Sequence, residues 1–349
     1  MTPNPAVITG IGSVSPFGPL AGLIPLCTVE PESITAWPTA GLRRAFLVKP
    51  FRPASVVPGL KTRRVDRLSA WAMVASSLAI QDAGIDLNQV DRSRVAVVFG
   101  TGFGCAELTE AFYQSAATNG WAGTDPSPFP EGLANAPASH VALLHGLRGP
   151  NITVGSTGFA GESALIQAAS LLRHGQADLA IVLAGDTLTH AVYEWYEAAG
   201  LLSPACCNSE PVPEDGGFMP SEGVVALVLE PAGRREVRSY AHLKSGRWGA
   251  GGKAVETIRQ MLGGSVPSLT ICSGNGAPCA ASSTAALAHE ISGPDAAIVP
   301  ARAVAAGLAE AGAFLHLVLA LGSRSGTGSA LLLATSGERG FAAILLELP

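Results

Sequence analysis

The sequence predicts a layered α/β fold with largely buried sheets. Three observations carry the prediction. Short apolar runs alternate with alanine-rich stretches of helical spacing along the 349 residues. Apolar residues make up 48% of the chain and charged residues only 14%, so most elements must be covered on several sides. The length is more than one core usually supports, and fits two domains or one large duplicated unit.

The elements follow in order. Val7–Gly10 reads as a first strand. Asp66–Ala83 reads as a helix, with Leu68, Trp71, Ala72, Ala75, Leu78 and Ala79 at helical spacing. Val95–Gly100 is a buried strand, Ala106–Ala117 a helix and Pro137–Leu144 another. Ile152–Val154 is a strand, Glu162–His174 a helix, Leu179–Ala184 and Gly223–Leu229 strands. The more polar segment Pro231–Lys253 reads as a link between halves, placing the division at 1–235 and 236–349. The second half repeats the alternation: Ala254–Leu262 helix, Ser268–Cys272 strand, Ser282–Ile291 helix, Ala297–Val299 strand, Ala303–Leu321 helix. Ser329–Ala334 and Phe341–Leu348 form a closing hairpin.

Bulk properties narrow the function. A net charge of −5 gives no general attraction to nucleic acid. The opening reads as a strand rather than a basic, apolar leader, so a cytoplasmic protein is expected. The most apolar stretch, Val304–Gly322, contains Glu310 and His316 and reads as a buried helix, not a membrane span. The cysteines (Cys27, Cys105, Cys206, Cys207, Cys272 and Cys279) lack metal-site spacing and read as reduced thiols. No metal or cofactor is expected.

The stretch PNITVGSTGFAGESALIQAA, residues 150–169, poses the functional question. Strand, tight turn and helix is where an α/β enzyme often presents its nucleophile, because the helix N-terminus offers free N–H groups and a positive dipole end. The turn Gly155–Gly161 holds no cysteine.

Several stretches together resemble the β-ketoacyl synthase family. They are AVITGIGSVSPFG (6–18), VVFGTGFG (97–104), HVALLHGLRGPNITV (140–154), ADLAIVLAGD (177–186) and EDGGFMPSEGVVALVLE (214–230), in that family's order and approximate spacing. The resemblance fades in the last third. It implies a thiolase-like fold: a duplicated α-β-α-β-α five-layer sandwich, dimeric in the family. It also implies a cysteine in the turn after GPNITV, two histidines and a lysine. A thiolate at a helix N-terminus accepts the acyl chain, and imidazoles stabilise the enolate and oxyanion.

All four groups are missing. The cysteine position falls on Gly158, and no cysteine lies between Cys105 and Cys206. The first histidine position falls on Ser273 in SGNGA (273–277), with no histidine between His242 and His289. The second falls on Ala306, before AEAGA (309–313), and the lysine falls near Ala301, with no lysine after Lys253. The family's closing loop is reduced to SGERGF (336–341).

Loss of the whole set resembles the chain length factor. This is the catalytically silent subunit that pairs with an active ketosynthase in type II polyketide or related polyene and fatty-acid synthesis. The resemblance implies two partners: the catalytic ketosynthase, and an acyl carrier protein bearing the chain on phosphopantetheine. It also implies that the helix near 106–117 faces the dimer interface and the acyl tunnel. Leu108 and Phe112 share a helix face there. Phe129, Leu133 and Phe159 are the further tunnel or interface candidates. Carrier proteins are acidic, so Arg43, Arg44, Lys61, Arg63, Arg64 and Arg67 are docking candidates within a segment of eight basic residues and one acid.

Two other readings remain open on the residues. One is an acyl hydrolase or transferase of altered mechanism, using Ser156, Thr157 or a relocated thiol at Cys272 or Cys279. Ser156 and Thr157 also suit capping of the helix that follows. The other is a non-enzymatic homodimeric binding protein.

Overall fold

The computed structural model describes residues 5–24, 29–37, 42–155, 158–207, 219–236, 238–273, 278–293, 297–299, 307–308, 312–322, 327–336 and 340–349. The first half contains β1 (Ala6–Ser15), α1 (Arg67–Asp82), β2 (Val95–Thr101), α2 (Ala106–Asn119), α3 (Ala136–His145), β3 (Asn151–Gly155), α4 (Ala160–Arg173), β4 (Leu179–Asp186), α5 (His190–Ala198) and β5 (Gly223–Pro231). The second contains β6 (Ala241–Gly249), α6 (Ala254–Leu262), β7 (Leu269–Ser273), α7 (Pro278–Ser292), β8 (Ala297–Val299), α8 (Gly312–Gly322), β9 (Gly328–Thr335) and β10 (Phe341–Leu348).

The strand order exposes a duplication. The first half runs β3-β2-β4-β5-β1, and the second runs β8-β7-β9-β10-β6. Each order is third, second, fourth, fifth, first. In each, the fifth strand is antiparallel to both neighbours and the other pairs are parallel. The half-sheets meet where Ala6, Val7 and Ile8 pair with Leu243, His242 and Ala241.

Alternation along the strands builds the layers. Val97, Phe99, Ile181, Leu183 and Val228 face outward onto α1 and α3. Val98, Val182 and Leu229 face inward, onto α4 and α8. Ile271, Leu332 and Ile344 of the second sheet reach the same middle layer. Leu331, Leu333 and Ala343 face out, onto α6 and α7. The result is helix, sheet, helix, sheet, helix, the expected five layers.

Close approach is written into the glycines of β1. A Cβ on Gly12 would lie 2.2 Å from the Ala75 carbonyl oxygen, so only glycine lets α1 settle on the strand. α8 is apolar all round because sheets cover it on both sides; Phe314, Leu317 and Val318 are fully buried. Among the described residues no helix is long and apolar enough to cross a membrane.

Two expectations need correction. Pro231–Lys253 is not a plain link: it holds β6, which joins the half-sheets and pairs with β10. The expected helix Ala303–Leu321 is shorter. Its described part begins at Gly312, and Gly307–Leu308 is extended, pairing in parallel with Pro220–Ser221. A tertiary backbone pairing overrides the helical composition there. α5 adds a helix to those expected; its exposed side holds Glu194 and Glu197 while Tyr193 and Tyr196 are buried.

Candidate functional site: a sealed centre and an open apolar face

β3 delivers the chain to the N-terminus of α4, in the middle layer. Ser156 and Thr157 lie outside the described residues. Gly158 is buried, with φ of +110°. A Cβ there would sit 3.1 Å from the Ser336 Cβ, so a side chain would be strained by its own backbone and crowded by the end of β9. Phe159 is half-buried, and its ring packs so closely on Gly340 that a Cβ at 340 would be 3.0 Å away.

The first turn of α4 buries Glu162 completely. Ser273, at the end of β7, donates its hydroxyl to the Glu162 carboxylate and lies 3.2 Å from the Leu333 carbonyl oxygen. Burial pushes the Glu162 carboxyl up to about 7, against the smaller lowering by the Ser273 hydrogen bond. In the protonated form the acid donates to Ser273, whose hydroxyl then donates to Leu333, and each group is satisfied. Beside it, Thr284 and Thr335 bond each other at 2.8 Å. Glu162 and Ser273 thus seal each other across the two halves, and neither lines either cavity described for the chain.

Among the described residues no thiol there is activated. Burial holds the Cys272 thiol up at about 12 and pushes Cys105 still further from its ordinary value. Ala301 and Ala306 lie outside the described residues, as do Cys27 and the Cys279 side chain. Among the described residues no group of three His, Cys, Asp or Glu could hold a metal ion.

Of the sequence-derived tunnel candidates Phe112 and Phe129 are in contact, Leu108 lies one turn before Phe112 on α2, Leu133 follows the 129–132 turn, and Phe159 packs on Gly340. α2 packs on the 129–132 turn, and the Phe112 ring lies 5.6 Å from Phe129, 5.7 Å from Tyr113 and 6.4 Å from Trp121. Leu108 and Phe112 are half-buried; Phe129 and Leu133 are exposed. Sequence reasoning missed Tyr113, Trp121, Leu143 and Leu144, also exposed. β3 forms the edge of the first sheet, with Ile152 and Val154 only half-covered. Their signal was available: large apolar residues at positions that no core-facing period explains. Leu108 also lines a cavity of about 400 Å³ with Lys49, Phe51 and Trp71.

The basic segment divides in two. Arg43 bonds Glu197 at 2.6 Å and lies over the Tyr193 ring, and Arg44 donates to the Ala205 carbonyl. Arg67 reaches Glu107 at 2.8 Å and buried Glu222 at 3.1 Å, and stacks on Trp71. These three act inside the chain. Lys61, Arg63 and Arg64 are exposed, and Arg64 helps hold the Asp125 carboxyl below its ordinary range, after the larger effect of Ser127. Two buried acids were also missed. Glu222 accepts from Val48 and Leu188 amides, and Asp186 collects the Thr101 hydroxyl and the Gly102 and Phe103 amides, filling the glycine loop itself.

Known proteins agree with this architecture. The family described as "Beta-ketoacyl synthase, N-terminal domain" matches residues 30–234, more than half of the chain. The 3-oxoacyl-[acyl-carrier-protein] synthase 2 of Vibrio cholerae is 29% identical over 263 residues, covering 70% of this chain and 60% of that protein. Nodulation protein E of Rhizobium leguminosarum bv. trifolii is 29% identical over 249 residues, covering 68% and 58%. The chain spans about 60% of the length of the curated relatives it matches. Among solved structures, a beta-ketoacyl synthase from Burkholderia phymatum superposes with a TM-score of 0.78 at 17% identity, covering 99% of this chain and 100% of that one. The ishigamide ketosynthase/chain length factor superposes with a TM-score of 0.74 at 23% identity, covering 99% of each chain. Strand order, layers and sequence together establish that the chain belongs to the β-ketoacyl synthase family.

Proposed function

We propose that this chain is a non-catalytic ketosynthase-like subunit of the chain length factor kind. It pairs with an active β-ketoacyl synthase and bounds the tunnel for the growing acyl chain. The observation that carries the reading is Gly158. At the family's nucleophile position stands a glycine whose φ of +110° and 3.1 Å Cβ approach to Ser336 would make a side chain there strained and crowded. The sealed Glu162–Ser273 pair supports it, because neither group is open to a substrate. Ketosynthase/chain length factor and ketosynthase–carrier protein complexes with the same fold add support.

The open face supplies the partner's contact. Tyr113, Trp121 and Phe129 pack around Phe112 as an exposed aromatic cluster, and Leu133, Leu143 and the edge strand β3 leave further apolar groups open. Such a patch and such an edge invite a second chain. In the pair, Leu108, Phe112, Phe129 and Leu133 limit the tunnel by excluded volume, and Phe159 lies beside the lost nucleophile. The partner supplies cysteine, histidines and lysine for decarboxylative condensation on a phosphopantetheine-bearing carrier protein in the cytoplasm. Lys61, Arg63 and Arg64 are the cations free to steer that acidic carrier.

The test is co-expression with an active β-ketoacyl synthase from the same genome, tagging only this chain. Size and mass of the purified material then decide. A one-to-one heterodimer is expected. A stable homodimer that ignores the ketosynthase overturns the reading, and acyl-thioester hydrolysis lost on Ser156→Ala or Thr157→Ala would replace it.

A further inference from the structure

Burial does little to hold α2 in place. Of its 14 residues only Ala116 is buried, and Cys105 at the N-cap position, whose thiol pairs with Ser69, gives the helix no side-chain cap. Its polar ties cluster in the first turn. Asp66 Oδ2 accepts the Leu108 N–H at 3.3 Å, Arg67 Nε donates to Glu107 Oε2 at 2.8 Å, and the Thr109 hydroxyl donates to the Gly132 carbonyl at 3.0 Å. One turn of helix with free N–H groups is normally capped by its own flanking residue. Here the cap comes from another helix.

Asp66 serves both. Its Oδ1 accepts the Leu68 N–H at 2.8 Å and caps α1, while Oδ2 caps α2. The carboxylate is 1% exposed. Burial raises its pKa, and the two amides pull it back down. The two helices differ in firmness. α1 is locked onto β1 through Gly12 and has 12 buried residues, so it is a fixed reference. α2 takes its seat from that reference. Arg67, the next residue, ties Glu107 of α2 to Glu222, which in turn holds the Val48 and Leu188 amides.

We propose that Asp66 and Arg67 are positioning residues that set the seat of α2 on α1, and through it the depth of the space bounded by Leu108 and Phe112. This rests on the tunnel reading above. The two side chains stand one turn apart and move as a body with the helix. A loosened first turn lets them take several positions, so the length limit blurs. A shortened Phe112 instead moves the limit and leaves it sharp.

The experiment uses the co-expressed complex, with two readouts: hydrogen exchange over residues 106–112, and the length distribution of products. Asp66→Ala is expected to speed exchange there by roughly five- to thirty-fold. It also broadens the product distribution. Asp66→Asn keeps an acceptor oxygen and restores part of both. Arg67→Met broadens the distribution less. A general loss of stability lowers total turnover without changing the distribution, so the distribution separates positioning from mere folding. Unchanged exchange and unchanged products in Asp66→Ala overturn the inference. If that variant does not fold, unchanged products in both Asp66→Asn and Arg67→Met overturn it. Unchanged products in Phe112→Ala, with exchange still raised in Asp66→Ala, overturn the tunnel reading and the length-setting role, while the double cap stands.

Discussion

The junction of α4 with β7 and the face of α2 are made of opposite materials in opposite settings. At the junction polar groups are closed in: Glu162 and Ser273 are 1% and 0% exposed and satisfy each other. On the face apolar groups lie open: Trp121 is 70% exposed and Tyr113 56%. A reactive centre needs polar groups that a substrate can reach. An association surface needs apolar groups that a partner can cover. Polar groups are closed in at the junction and apolar groups are left open on the face. The contrast is what the non-catalytic reading proposed above requires.

The strongest way to break this contrast is on the open face. Trp121→Asp combined with Tyr113→Asp should cut co-purification of the ketosynthase about a hundredfold, the scale of losing hot-spot contacts. The variant's own melting temperature should barely move, since exposed substitutions change stability by about 0.5 kcal/mol or less. Equal recovery of the partner would show that the complex forms elsewhere.

The sealed junction has a pH signature. Glu162 has a pKa of about 7 when folded, against an ordinary value of 4.5, so the folded state holds its proton to higher pH. This contribution is therefore most favourable below about pH 4.5, is lost as pH rises to about 7, and stays level above. The loss is on the order of 3 kcal/mol. Subtracting the denaturation profile of Glu162→Gln from that of the parent should isolate that slope. A flat difference would mean that the carboxyl is not sealed.

Restoring the missing residue type should not restore chemistry. Gly158→Cys should lose about 1–3 kcal/mol, because the side chain meets a positive φ and Ser336. Intact mass after incubation with an acyl thioester should show no adduct at this position. An acyl group carried by the introduced thiol would mean that the turn is open after all.

The smallest effect concerns the exposed cations. Reversing Lys61, Arg63 and Arg64 to Glu should slow carrier-dependent turnover several-fold at low salt and leave it unchanged at high salt, as steering by exposed charge requires. A rate loss that persists in high salt would assign these residues a direct contact instead.

How much of this was legible depended on how local the cause was. The helix expected over Asp66–Ala83 is α1 with those two residues as its caps, because the apolar period and the aspartate lie within one segment. The absence of the family's cysteine, histidines and lysine from these stretches was also legible, since absent residue types need no register. β6 was not, because His242, Lys244, Arg247 and Trp248 give it a surface composition while Ala241 and Leu243 carry its buried pairing. The Glu162–Ser273 contact joins residues 111 positions apart, and nothing near either announces it. Arg43 and Arg67 looked like free cations because their carboxylate partners at 197, 107 and 222 come from other elements.

The repeated strand order also bears on how the chain is made. β1 is flanked by β5 and β6, so the first half-sheet can close as soon as residue 231 has been synthesised. Its inner face then has α4 but lacks α8, which ends at Gly322. For nearly a hundred residues of synthesis the nascent chain carries a finished sheet with half of its inner cover missing. Apolar surface uncovered in this way is what makes a partly made chain prone to aggregate.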